Sequence, residues 1–140
     1  MKSLLGEIME QPEAIERLIA EGYAEIQAVA DIIRTHDVRY ILIAARGSSD
    51  NAATYAKYLM GALQRLPVAL AAPSLHTVYQ APPRLDGALV IAISQSGMSP
   101  DIVTVVQDAR AQGALTLAIT NTLDSRLAQA AECVIGLRAG

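Results

Sequence analysis

The chain has 140 residues, a formal net charge of −3, and 52% hydrophobic against 18% charged residues, enough for one sizeable core and too short for two ordinary domains. Its Lys and Arg are scattered without a basic stripe, and only 4% of residues are aromatic, with no Trp and no Phe, which argues against a nucleic-acid partner. No apolar run approaches about 18 residues and the amino terminus lacks a signal-peptide core, so no membrane partner and a cytoplasmic location are expected.

The first 36 residues read as a helical segment ahead of a core at residues 37–140. Leu4, Leu5 and Ile8, then Ile15, Leu18 and Ile19, then Ile26, Val29, Ala30 and Ile33 recur at helical spacing. Pro12 suits the first residue of a new helix and Gly22 a stop, so this segment is expected as helical pieces rather than one rod. After the turn Thr35-His36-Asp37 the pattern changes to strand and helix in alternation. Strands are expected at Tyr40 to Ala45, Val68 to Ala71, Ala88 to Ile93, Ala114 to Ile119 and Cys133 to Leu137. Helices are expected at about Asn51 to Gln64, Pro100 to Gln112 and Ser125 to Ala131. Pro73, Pro82 and Pro83 limit helix in between, leaving a short turn around Ser74 to Tyr79. With so few aromatics, the core must be built from Ala, Val, Ile and Leu, which favours a layered α/β domain.

The runs at Tyr40 to Ala45 and Ala88 to Ile93 are continuous rather than alternating, as expected for parallel strands covered on both faces. Five parallel strands so connected fit a three-layer α/β/α fold with the flavodoxin-like order 2-1-3-4-5, whose ligand crevice lies beyond the carboxyl ends of strands one and three. The two loops richest in hydroxyls follow those two strands: Arg46-Gly47-Ser48-Ser49-Asp50 and Ser94-Gln95-Ser96-Gly97-Met98-Ser99-Pro100-Asp101. Each couples rotatable hydroxyl donors and a glycine to the open N–H groups of a helix start, a combination suited to an anion such as phosphate. The plainer reading of Ser48, Ser49 and Ser99 is helix capping. Arg46 could neutralise phosphate or face solvent. Asp50 and Asp101 read as helix-dipole partners, and Thr120, Asn121 and Thr122 read as a loop after the fourth strand. Neither His36 nor His76 has other ligands at metal spacing, so no metal and no cofactor are expected. Cys133, in an apolar run, reads as a buried inert thiol.

Glu7 to Pro12, Gly47-Ser48-Ser49 and Ser94-Gln95-Ser96-Gly97, at this strand spacing, resemble the sugar isomerase (SIS) domain family. The nearest likeness is to the first of the paired domains in glucosamine-6-phosphate synthase isomerase modules and in glucosamine-6-phosphate deaminases. The resemblance implies that Ser94, Gln95, Ser96 and Ser99 hold a sugar phosphate, that Ser49 assists, that Ser48 faces the sugar, and that Gly47 shapes the first loop. Met98 stands where the synthases have Glu, and Ser99 where they have Thr. In that family the proton-transfer groups lie mostly in a second domain and its tail. The resemblance therefore implies a phosphosugar-binding domain of an aldose/ketose or aminohexose 6-phosphate isomerase or deaminase, inactive in isolation, with the second domain missing. A non-catalytic phosphosugar-binding or regulatory module is the alternative, although no helix-turn-helix precedes the core. A single-domain isomerase is a further one, weakened by the presence of Glu132 alone and no His after the fourth strand. An Ala-rich, weakly charged helical surface leads us to expect a homodimer.

Overall fold

Apolar runs that a single face could not bury become strands with a core on each side. The computed structural model describes residues 3–139, and its strands are β1 (Tyr40–Ala45), β2 (Val68–Leu70), β3 (Ala88–Ile93), β4 (Leu115–Thr120) and β5 (Cys133–Gly136). They form one sheet in the order β2-β1-β3-β4-β5, every pair parallel. The helices are α1 (Leu4–Arg34), α2 (Ser49–Gln64), α3 (Ser74–Thr77), α4 (Pro100–Ala111) and α5 (Arg126–Ala130).

Alternate residues of each strand feed opposite cores, as the pleat requires. Ile41, Ile43, Leu89, Ile91, Leu115 and Leu117 join Val29 of α1 and Ala53 of α2 on one face. Leu42, Ala44, Val90, Ala92 and Ala118 meet Ile102, Val105, Val106 and Ala109 of α4 and Leu127 of α5 on the other. Ala44, Ala92 and Ala118, all fully buried, let α4 lie close to the sheet centre.

The expected α/β/α fold, strand order and parallel sense are all observed. Boundaries differ by a residue or two: α2 begins at Ser49, β2 ends at Leu70, and β4 is displaced by one residue. The larger correction is α1, a single 31-residue helix in place of helical pieces. Pro12 has no N–H for the carbonyl of Ile8, but this turn is exposed, so the freed carbonyl is not shut in a dry interior. Gly22 ends nothing. It is buried mid-helix, and a Cβ there would come within 3.1 Å of Arg138 Nη1, so the glycine makes room for the carboxyl-terminal tail.

Candidate functional site

In the β1–β3 pair Ala45 is opposite Ile93, so the two hydroxyl-rich loops leave the sheet side by side at the point where strand order reverses. In the first loop Gly47 adopts φ +58 and is exposed. Ser48 occupies the N-cap position of α2 with helical backbone angles, and its side chain makes no cap bond. The amides of Ser49, Asp50 and Asn51 donate to the carbonyls of Arg46, Gly47 and Ser48 at 3.1–3.2 Å. The start of α2 is thus wound into a tight turn that uses its own donors. The sequence pattern suggests open amides there; the structure pairs those of Ser49, Asp50 and Asn51, and leaves this loop the Gly47 and Ser48 amides and the Ser48 and Ser49 hydroxyls to offer.

The second loop is built differently. Ser94 is buried, its amide donates to the Ile119 carbonyl at 3.1 Å, and its Oγ accepts from the Gly97 amide at 3.2 Å. Ser96 Oγ accepts from the Met98 amide at 3.3 Å. Gly97 adopts φ +64. Ser99 caps α4 through its backbone, the carbonyl accepting from Val103 N–H at 3.0 Å, while its side chain makes no cap bond. The half-buried Ser99 hydroxyl is therefore not used as a helix cap. Among the described residues the amides of Gln95, Ser96, Ser99, Asp101 and Ile102 have no acceptor. A run of unpaired amides beside hydroxyls at the start of a three-turn helix has the donors and the field that suit an oxyanion.

Residues after β4 hold this loop in shape. The Gln95 carbonyl accepts from the Asn121 amide at 3.0 Å and the Thr120 hydroxyl at 3.3 Å, and the Gly97 carbonyl accepts from the Leu127 amide at 3.1 Å. Buried Ser125 caps α5, accepting from Ala128 N–H at 3.3 Å, and packs where a Cβ of residue 97 would stand. Sequence reading took Thr120 as loop and Ser125 as the start of a helix, whereas Thr120 ends β4, the strand next to β3, and Ser125 follows it as the cap of α5. Arg46 and Asp101 were read separately, whereas Arg46 Nη1 is 3.2 Å from Asp101 Oδ2 and ties one loop to the other.

The remaining candidates lie elsewhere. Burial, then the neighbouring Glu132 charge, push the Cys133 thiol up, which keeps it protonated and unreactive. Buried His76 binds Asp108 of α4 through Nδ1 at 2.8 Å, and His36 Nδ1 is 2.8 Å from the Ile32 carbonyl at the end of α1. No group of three His, Cys, Asp or Glu among the described residues could hold a metal ion, and no described helix is long and apolar enough to cross a membrane. A cleft of about 210 Å3 opens beside Gln95, between Glu7, Glu10 and Gln11 of α1 and Asn121 of the β4 loop. A larger groove of about 460 Å3 runs between α4 and α5 over Val103, Thr104, Gln107 and Arg126.

A family model described as "SIS domain" matches residues 36–140. Over 98% of its length the chain is 34% identical to a glutamine–fructose-6-phosphate aminotransferase (isomerizing) of Mycolicibacterium smegmatis, and spans 22% of that protein. Among solved structures, a provisionally named phosphosugar isomerase from Silicibacter pomeroyi DSS-3 superposes with a TM-score of 0.92 at 45% identity, covering 96% of this chain and 41% of that one. The C-terminal domain of glucosamine-fructose-6-phosphate aminotransferase from Francisella tularensis gives a TM-score of 0.81 at 28% identity, covering 97% of this chain and 39% of that one. The chain thus spans less than half of each of these relatives.

Proposed function

The chain belongs to the SIS domain family, and on that premise we propose that it binds the phosphate of a hexose or aminohexose 6-phosphate between the loops that follow β1 and β3. Ser94, Gln95, Ser96 and Ser99 hold the phosphate, Ser49 assists, Ser48 faces the sugar, and Gly47 sets the first loop. The observation that carries this reading is the second loop, where unpaired amides and an uncapped Ser99 hydroxyl lie together at the start of α4. The likeness to phosphosugar isomerases and to aminotransferases acting on fructose 6-phosphate supports the same ligand class.

The parent activity, on this reading, is isomerisation, deamination or amino transfer on such a sugar. The carboxylates of the two loops, Asp50 and Asp101, occupy first turns of helices, where they serve the helix dipole, and no other acid–base side chain belongs to either loop. On this reading the chain alone binds without turnover, the carboxylates of Glu7 and Glu10 lining the cleft beside Gln95 without belonging to either loop. It also self-associates on this reading: α1 leaves Leu5, Ile8, Ile15 and Ile19 at least 47% exposed, a stripe that water covers poorly.

A thermal-shift comparison tests the ligand class. At about 100 times its Kd, fructose 6-phosphate should add about 2.7 kcal/mol and raise the melting temperature by about 5–10 °C. Unphosphorylated fructose should leave it unchanged. An equal rise with both sugars would contradict phosphate recognition.

A further inference from the structure

The two loops carry one cation between them, Arg46, and two carboxylates, Asp50 and Asp101. Asp50 is exposed in the first turn of α2, whereas Asp101 is partly withdrawn: its side chain is 22% exposed and its Oδ1 is buried with no hydrogen-bond partner. Arg46 reaches Asp101 Oδ2 through one nitrogen at 3.2 Å, with 64% of its own side chain still exposed. This is not the two-bonded fork by which guanidinium and carboxylate usually join. Before any ligand arrives, these three charges sum to about −1, and a phosphate adds about −1.5 to −2. The hydroxyls and amides of the second loop donate hydrogen bonds and bring no net charge.

We infer that Arg46 is a phosphate-binding residue of this crevice and that Asp101 is its positioning residue, holding the guanidinium at the mouth until a phosphate takes it over. The inference rests on the phosphate reading given above. Three features make the exchange favourable. The pair is a single 3.2 Å contact to a guanidinium that is 64% exposed, so exchanging it costs less than breaking a two-bonded fork would. A phosphate presents several oxygens to the planar fork and carries more charge than a carboxylate. Once released, Asp101 keeps the favourable field of the α4 amino terminus, where its own amide and that of Ile102 are unpaired. The positive φ of Gly47, in open space, seats Arg46 at a sharp turn out of β1, within reach of both loops.

Exchange and a static brace predict opposite signs at Asp101. Under exchange, Asp101→Asn frees the guanidinium and removes a like charge beside the phosphate, so fructose 6-phosphate should bind about 3- to 10-fold more tightly. Arg46→Gln should bind about 10- to 100-fold more weakly, the loss expected for a hydrogen bond to a charged acceptor. Arg46→Gln added to Asp101→Asn should abolish the gain. The experiment is calorimetric titration of each variant with fructose 6-phosphate, with the ligand-free melting temperature as the control for folding and Asp101→Ser, which also favours helix starts, in reserve where Asn does not fold. Equal weakening by both single substitutions, or an unchanged affinity in Arg46→Gln, would overturn the exchange. Ser94→Ala/Ser96→Ala separates the two levels: if that variant loses binding while Arg46→Gln keeps it, the phosphate site stands and the role of Arg46 falls. Absence of binding by the unaltered protein overturns both.

Discussion

Gly47 and Gly97 share a left-handed backbone, with φ +58 and +64, and differ in what surrounds them. Nothing lies within 4 Å of where a Cβ of residue 47 would stand, whereas one at 97 would overlap the buried Ser125 hydroxyl and Cβ and come within 3.0 Å of Thr120 Oγ1. Gly47→Ala should therefore cost only the strain of the backbone conformation, about 1 kcal/mol. Gly97→Ala adds a clash with a side chain that has nowhere to move, so about 2–5 kcal/mol is expected. Urea denaturation of the two variants measures the difference, and equal losses would refute the packing account of the second loop. The sequence marks both glycines as loop residues and both serine clusters as candidate donors. It does not distinguish a glycine pressed on Ser125 from one in open space, because that depends on a strand and helix about 30 residues further along. The same reason hid the Arg46–Asp101 pair, whose members are joined only when β1 and β3 lie side by side.

Among the elements, the strands were legible because continuous apolar runs bounded by Gly, Pro and Ser leave few alternatives, and their order followed from connections that suit a doubly wound sheet. α1 was not legible as one helix, because Pro12 and Gly22 are local stop signals; the exposed turn tolerates the missing N–H of Pro12, and contact with the far end of the chain carries the helix through Gly22. Arg138 Nη1 lies 2.9 Å from Glu25 of α1 and donates to the Gly136 carbonyl at 3.0 Å, while the Arg17 guanidinium donates to the Arg138 carbonyl at 3.2–3.3 Å. Asn121 closes the tail from the other side, its Nδ2 donating to the Ala139 carbonyl at 2.6 Å and its Oδ1 accepting from the Ala139 amide at 2.9 Å. The tail is thus the link between α1 and the β4 end that braces the second loop. Arg138→Ala should cost about 1 kcal/mol, more at low salt, and should raise amide exchange in residues 17–25 of α1 before the sheet is affected. Unchanged exchange in that segment would show that α1 is held by its apolar face alone.

At the scale of the molecule, a 31-residue helix is about 46 Å long, and of its residues only Gly22 and Val29 are buried. Helices gain most of their stability from packing an apolar face, yet Leu4, Leu5, Ile8, Ile15 and Ile19 face water here, as do Tyr55, Tyr58 and Leu63 of α2 on the same side of the sheet. The proposed homodimer would cover part of this surface. Sedimentation at about 100 μM should then show a dimer, the outcome for a Kd near the micromolar range, and a clean monomer would count against it. The chain spans 22% of the mycobacterial protein and 41% of the Silicibacter one.

The phosphate cradle in the second loop is the central claim, and calorimetric titration of fructose 6-phosphate into the unaltered protein and into Ser94→Ala/Ser96→Ala tests it most directly. Each hydroxyl bonded to a charged acceptor is worth about 1.5–3 kcal/mol, so each single loss should weaken binding about 10- to 150-fold. Removing both should leave no measurable binding, while unphosphorylated fructose binds neither protein. Equal affinity for fructose 6-phosphate in the two proteins would contradict the cradle, and with it the assignment of this crevice to a sugar phosphate.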